Sequence, residues 1–557
     1  MSLQQSNLAA QGLGYDMIFA MSQNGLTETM GDKYDNLPGK EVTVYWGWNN
    51  SPKGFPPIDY SLADLKLPAG LDPFTVPAWQ TSNGANTKIS QLQTAKFAMA
   101  AKGTPGIPDS VSFPEILTLN SDGTADLTIY FLDVKVVAAI YDDAGNITQY
   151  LNVAQDDDTP LTIVFRLPFT TISRNDNLPA AVQQALGNPN ISVQQLVLNI
   201  GAGGYHTGMN IPGLTPILIP ALNNQFGYQC LSALADAGLT AVGYSANTEQ
   251  LLPATLAITS MAGRGDMLVD ASGKIISNPS IEQLGINTLN LYCATNGDPL
   301  PAPAQLPWNW LDTSQDGKSY DGAIAFKYGT ILNYFKSKMD PYVAGNCYLP
   351  AIPLDEDGIY FYPTLNGGQA PTVASVYSVA APKGNPYYGM MLDYGYQSPW
   401  ITNTLGDMSM TLESEFYLKV YYSDETVTVR QQLMVQGSVD FGAGPMNIEF
   451  VNRVVTDVYA VKVDLKGYLL LDPTTTSQDY SNYSAVDPSL IPDYFQGVIG
   501  DLSDYVNGIA SGSFDIDPLN QLQQFVFPGG RTFQFSDAIF SDYGDLVAHI
   551  KFADNAQ

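Results

Sequence analysis

Basic residues are scarce in this chain: 24 Lys and Arg stand against 54 Asp and Glu, a formal net charge of −30 over 557 residues. No run of Lys or Arg occurs, so there is no means of neutralising phosphates and nucleic acid is excluded as a partner. An anionic membrane surface repels the average face for the same reason. Histidine is scarcer still, with only His206 and His549 to move protons near neutral pH. Cysteine is limited to Cys230, Cys293 and Cys347, which cannot all pair within one chain and whose spacings match no zinc or redox pattern. They read as small buried hydrophobes. No stretch approaches the ~18 consecutive apolar residues of a membrane-spanning helix. The opening residues, MSLQQSNLAAQGLGYD, lack the basic and apolar regions of a secretory signal, so the chain is expected to be cytoplasmic or exported without one.

Catalytic motifs are missing as well. His206 sits in GAGGYHTG, which lacks the Lys and Ser/Thr of a phosphate-binding loop and the GxGxxG order. No GxSxG elbow accompanies either histidine, and no HExxH occurs. Residues 312–323, DTSQDGKSYDGA, place Asp312, Ser314, Asp316 and Gly317 at the first, third, fifth and sixth positions of an EF-hand-like loop. Ala323 then stands where the bidentate glutamate belongs, and WNW precedes the loop instead of a helix. Neither a metal, nor another cofactor, nor enzymatic activity is expected. The catalytic alternative left open by so acidic a chain is a carbohydrate-active enzyme with paired carboxylates.

What is abundant is the chemistry of strands and turns: 33 tyrosines, 49 glycines and 37 prolines in a chain that is 45% hydrophobic. Residues 42–48 (VTVYWGW) alternate Val42, Val44, Trp46 and Trp48 on one face, as a half-buried strand does. Residues 125–141 form a long β-branched and aromatic run closed by the turn DDAGN, and 161–167 and 196–200 are shorter strand candidates. The clearest strands lie in 408–471, as long alternating runs with hairpin signals at 423–425 and 442–445. Their length implies a strongly twisted antiparallel sheet wrapped round something.

Against this background two short modules stand out. Residues 17–21 are an unbroken apolar run too short for a stable helix, Ser22 offers an N-cap oxygen, and Leu26 and Met30 follow at helical spacing. The same order recurs at 323–339, AIAFKYGTILNYFKSKM, where Ile331, Phe335 and Met339 share one helix face. Overlaying the copies aligns Ile18 with Ile324 and Leu26 with Leu332, and Pro341 is expected to stop the second helix. Two strand-to-helix heads imply two like-built domains, 1–310 and 311–557. A third amphipathic helix is expected over 492–509, and the proline-interrupted apolar run 211–222 (IPGLTPILIPAL) reads as a packed linker or an exposed lip.

The head GYDMIFAMSQNGLTETM, the segment TNGDPLPAP to WNWLD over 295–312 with AIAFKY after it, and the closing run LQQFVFPGGRTFQFSDAIFSDYGDLVAHI over 522–550 carry a family resemblance. Together they resemble the OrfX-type and forty-seven-kilodalton accessory proteins encoded beside clostridial neurotoxin genes, and the head is similar to the start of the bactericidal/permeability-increasing lipid carriers. The resemblance implies the tubular lipid-binding superfamily: a β-dominated α+β fold of two domains, each a long helix wrapped by a highly curved antiparallel sheet. It also implies a non-enzymatic lipid-binding role, or an accessory role in a toxin-type assembly. On that fold, Ile18, Met21, Leu26 and Met30 are expected to line one apolar groove, and Ile331, Leu332, Phe335 and Met339 the other. The alternative is an interaction module whose grooves are filled by these same side chains. A basic protein steered by the acidic field is a second expected partner.

Overall fold

The computed structural model describes residues 3–35, 39–49, 57–111, 115–156, 159–173, 178, 182–183, 191–248, 258–313, 320–381, 383–440, 442–463, 469–479, 526–528 and 532–552. The helix expected over 492–509 lies outside them, as do Ser314, Asp316 and Gly317 of the acidic loop. Strand dominates, at 46% against 17% helix, and includes a strongly curled half-barrel sheet.

A six-stranded antiparallel sheet lies at the centre. Its strands are β1 (Met17–Ser22), β2 (Ile258–Asp266), β3 (Thr288–Thr295), β4 (Gly322–Phe326), β5 (Phe533–Phe540) and β6 (Leu546–Phe552), in the order β2-β3-β1-β4-β6-β5. The two heads found in the sequence are therefore neighbours. β1 runs antiparallel to β4, with Phe19 opposite Ile324 and Ile18 opposite Ala325. Strands from both sides of residue 310 share this sheet, and it is covered on both faces. Met17, Phe19 and Met21 point into the main core, whereas Ile18 and Ala20 join Tyr15, Trp308 and Trp310 in a second cluster on the other face. A strand buried on both sides has no polar positions to mark its period, which is why 17–21 reads as an unbroken apolar run.

Each head strand runs into a helix. α1 (Gln23–Asp35) starts where Ser22 Oγ accepts the Gly25 N–H at 3.0 Å, so the expected N-cap forms. α2 (Tyr328–Asn346) starts at a carboxylate instead: Asp545 Oδ1 accepts the Tyr328 N–H at 3.0 Å, beside the positive end of the helix. The other oxygen of Asp545 accepts Ser6 Oγ at 2.8 Å and Leu8 N at 2.7 Å, tying the start of the chain to its last strands. Pro341 does not stop α2, which continues through it to Asn346. Met339 and Val343, buried on either side of the proline, hold the helix in the core, and that packing outweighs one missing backbone hydrogen bond.

Two further sheets flank the centre. A twelve-stranded sheet is built mainly from residues 42–248, including Val42–Gly47, Phe97–Pro105, Thr124–Tyr141 and Thr162–Ser173. Val526–Pro528 adds to it at Ala241–Thr248, with Gly243 opposite Pro528. A seven-stranded sheet follows α2 and contains Met390–Gln397, Met408–Ser423, Thr426–Asp440, Pro445–Val463 and Leu469–Asp479. Along Thr426–Asp440 buried and half-exposed residues alternate strictly from Gln431 onward, as in a sheet with one face inward.

Candidate functional site

Of the eight residues expected to line grooves, all are buried, and Phe335 is the most exposed at 3%. The structure does not bring the first four together. Ile18 and Met21 are an odd number of residues apart on β1 and lie on opposite faces of the central sheet, Ile18 under Trp308 and Trp310 and Met21 in the main core. The expectation that both line one groove is therefore corrected by strand parity.

Met21, Leu26 and Met30 share the main core with the inner face of the twelve-stranded sheet. That face also carries a helix the sequence did not mark, Gly227–Asp236, entered through a π-helical turn, Ala221–Phe226. The proline-interrupted run 211–222 leads into this turn, with Ile211, Leu214, Leu218 and Leu222 buried, so it is packed against the body as a linker. Phe226 stacks on Phe131 at 5.7 Å between centroids, Tyr228 meets Phe165 edge-on at 5.1 Å, and Trp46 donates to Gln225. α1 is held to the same sheet by Tyr34 Oη, which donates to the Thr128 carbonyl at 3.1 Å, and by Lys33, whose ammonium donates to the Ala241 carbonyl. Burial brings the Lys33 ammonium down to about 8. Two helices thus pack on the face that was expected to be a groove, and a cleft of about 290 Å³ remains between the second of them and the sheet, lined by Ser232, Ala235 and Asp236 on the helix and by Thr170, Ile172 and Gln195 on the strands.

The surroundings of α2 are arranged differently. Ile331, Leu332, Phe335 and Met339 all lie in the main core on α2. Ile331 and Phe335, one turn apart, border a small cavity of about 10 Å³ together with Tyr334 of the same helix. Its other walls come from Val461 and Leu471 of the seven-stranded sheet and from Phe540 and Leu546 of the central one. Every wall is an aliphatic or aromatic side chain, so the cavity selects for apolarity and offers no charge to hold a headgroup. Leu332 and Met339 face other parts of the core. Sequence reasoning missed Val461, Leu471, Phe540 and Leu546, although 461 and 471 fall in strands it recognised. Their meeting point is set by sheet closure, for which no local pattern exists.

The two histidines occupy separate settings. His206 is exposed on the strand Gly204–Thr207. His549 is buried in β6 with the Tyr320 ring stacked on it at 4.1 Å and Asp537 Oδ2 at 3.5 Å from Nδ1. On the outer face of the central sheet Asp266 accepts from Asn290 Nδ2, Tyr292 Oη and Leu306 N at 2.9 to 3.0 Å, yet burial raises its carboxyl to about 6. The three cysteines are buried, which raises their thiols, Cys347 to about 11.

No protein-family model matches the chain, and no curated protein matches it. Among solved structures, the chain is similar to P47 of Clostridium botulinum E1, with a TM-score of 0.43 and 7% identity over 97% of this chain and 99% of that one. It is similar to P47 from Clostridium botulinum A2 with a TM-score of 0.40 and 8% identity, over 96% and 97% of the two chains. A lipopolysaccharide binding protein matches with a TM-score of 0.27 and 10% identity, over 97% and 100%. The P47 matches are of the kind that the head, middle and closing motifs resemble. At these scores the likeness carries no argument about function, which stands on the chain's own geometry.

Proposed function

We propose that this chain is a non-enzymatic binder of an apolar, lipid-type ligand, built from two like halves, and that the ligand is taken up in the second half beside α2. The observation that carries this reading is the wholly apolar cavity bordered by Ile331, Phe335, Val461, Leu471, Phe540 and Leu546. At about 10 Å³ it is a seam, not a finished pocket. An acyl chain enters only as the helix and sheets part along it, and each methylene then buried contributes about 0.8 kcal/mol. The test is native mass spectrometry of the full chain after incubation with a fatty acid or phosphatidylcholine. A retained adduct that disappears in Ile331→Trp, which plugs the seam, supports the proposal. An adduct of unchanged abundance in that variant, or none with either lipid, removes it.

A second reading has its own observation. The inner face of the twelve-stranded sheet is covered by the helix Gly227–Asp236, as in an interaction module that presents its surface and keeps no ligand in its core. In that reading the net charge of −30 recruits a basic protein, of the sort an accessory role in a toxin-type assembly requires. Such a complex dissociates as salt shortens the screening length to about 10 Å at 0.1 M, whereas a lipid adduct survives.

A further inference from the structure

A cavity of about 690 Å³ opens at the edge of the twelve-stranded sheet, among different residues from the seam beside α2 and with a different chemistry. Its volume falls in the range of about 300–1,000 Å³ typical of small-molecule sites. One wall is the helix Thr87–Thr94, whose Thr87, Ser90, Gln91 and Thr94 face it at helical spacing, while Ile89 and Leu92 are buried in the cluster beneath. Thr87 and Gln91 make no side-chain hydrogen bond among the described residues, so their donors and acceptors are available to a ligand.

The opposite wall carries aromatic rings and cations. Tyr60 packs closely over Gly47, where an added Cβ would lie 3.0 Å from its ring, so glycine is what lets the ring settle there. Trp48 also borders the cavity and is 5% exposed; its indole N–H is buried and has no partner among the described residues. Lys66 and Lys96 also line the cavity, at φ of 50° and 52°. They are two of three non-glycine residues with positive φ among the described residues, a conformation that costs about 1 kcal/mol or more each. Lys66 makes no ion pair among the described residues, and the Lys96 ammonium meets a neutral group, the Asn49 carbonyl, at 3.3 Å. In a chain of net charge −30 this cavity is lined by two lysines without carboxylate ion pairs and by one carboxylate, Asp64, which accepts from Ser61 Oγ at 2.5 Å.

We propose that this cavity binds an acidic saccharide. Short hydroxyl and amide side chains on a helix face match the hydroxyls of a sugar ring, Tyr60 offers an aromatic surface to its C–H groups, and the two ammonium groups meet its carboxylate. The probe is 3′-sialyllactose, with lactose as the neutral control, titrated into the full chain at low salt by calorimetry and saturation-transfer NMR. The expected result is binding of 3′-sialyllactose with lactose at least about tenfold weaker. Lys66→Asn combined with Lys96→Asn, a change that suits the positive φ, should weaken 3′-sialyllactose by about tenfold or more and leave the denaturation curve in place. Vesicles of phosphatidylcholine carrying a sialylated glycolipid tell a free sugar from a lipid head: binding to both marks the sugar as what is recognised, and binding to the vesicles alone overturns the proposal. Absence of binding to the free sugar, equal affinity for lactose, or unchanged affinity in the double variant would each overturn the proposal. None of these outcomes bears on the seam beside α2.

Discussion

Two regions of the molecule, one around α1 and one around α2, differ in what packs with the helix. In the first, α1 and the helix Gly227–Asp236 belong to one core with the twelve-stranded sheet, where Phe226, Cys230, Leu231 and Leu234 join Leu26 and Met30. In the second, α2 is the helix on the inner face among the described residues, and an apolar seam remains between it and strands of two sheets. The heads that launch α1 and α2 are alike in sequence, so the difference arises from what the rest of each half supplies. The space left differs in kind: about 10 Å³ with wholly apolar walls beside α2, and a cleft of about 290 Å³ beside the helix Gly227–Asp236 whose lining includes Thr170, Gln195, Ser232 and Asp236.

The largest test of that contrast is Leu332→Asp. The side chain is 1% exposed in the core on α2, and an unpaired carboxylate there should cost several kcal/mol, about 3–5, and unfold the second half first in a urea titration followed by hydrogen exchange. Simultaneous loss of protection around α1 would mean that the main core, to which Leu26 and Leu332 both belong, unfolds as one cooperative unit. Next come the paired truncations Phe226→Ala and Phe335→Ala, each expected to cost about 3–5 kcal/mol. They should differ in rescue. Phe335→Ala widens an existing apolar seam, so added benzene should restore part of its stability, while Phe226→Ala should recover less. Equal rescue would erase the distinction between a filled face and an open one.

How much of this was legible follows from the range of each signal. The Ser22 cap, the long hairpins after 408 and the two strand-to-helix heads were readable because each is written within a few neighbouring residues. The pairing of β1 with β4 was not, since it joins positions some three hundred residues apart, and no pattern within either strand encodes its neighbour. Ile18 and Met21 were assigned one face because burial on both sides of β1 hides the period of two. The helix Gly227–Asp236 was obscured by Pro212, Pro216 and Pro220 ahead of it, although its own Cys230, Leu231 and Leu234 follow helical spacing. Pro341 was read by its intrinsic preference, which the packing of Met339 and Val343 overrides. Of the site, the α2 residues Ile331 and Phe335 were foreseen, and the four strand residues closing the seam were not.

Two smaller effects refine the comparison. Asp266 belongs to the central sheet that joins the halves, and its folded pKa of about 6 lies above the ordinary 3.8. The folded state therefore holds a proton that the unfolded state releases, so this group's contribution is complete below pH 3.8 and is lost as pH rises through about 6. Asp266→Asn should gain on the parent by up to about 3 kcal/mol between pH 4 and 7 in paired denaturation curves. A difference that stays flat with pH would show that the hydrogen bonds from Asn290, Tyr292 and Leu306 offset the desolvation. The smallest effect is Pro341→Ala, expected to stabilise α2 by about 1 kcal/mol, the net worth of the one hydrogen bond its N–H restores, with a loss of stability as the contrary result.

The central claim is that an apolar ligand enters beside α2 and nowhere on the first half's inner face, and a photoreactive fatty acid tests it most directly. After irradiation of the full chain with a diazirine-bearing fatty acid and digestion, peptide mapping should place the label near Ile331, Phe335, Val461, Leu471, Phe540 or Leu546, the residues bordering the seam. Label concentrated near Met21, Leu26, Met30 or Phe226 would contradict the account, because it would place the ligand where two helices already pack on the sheet.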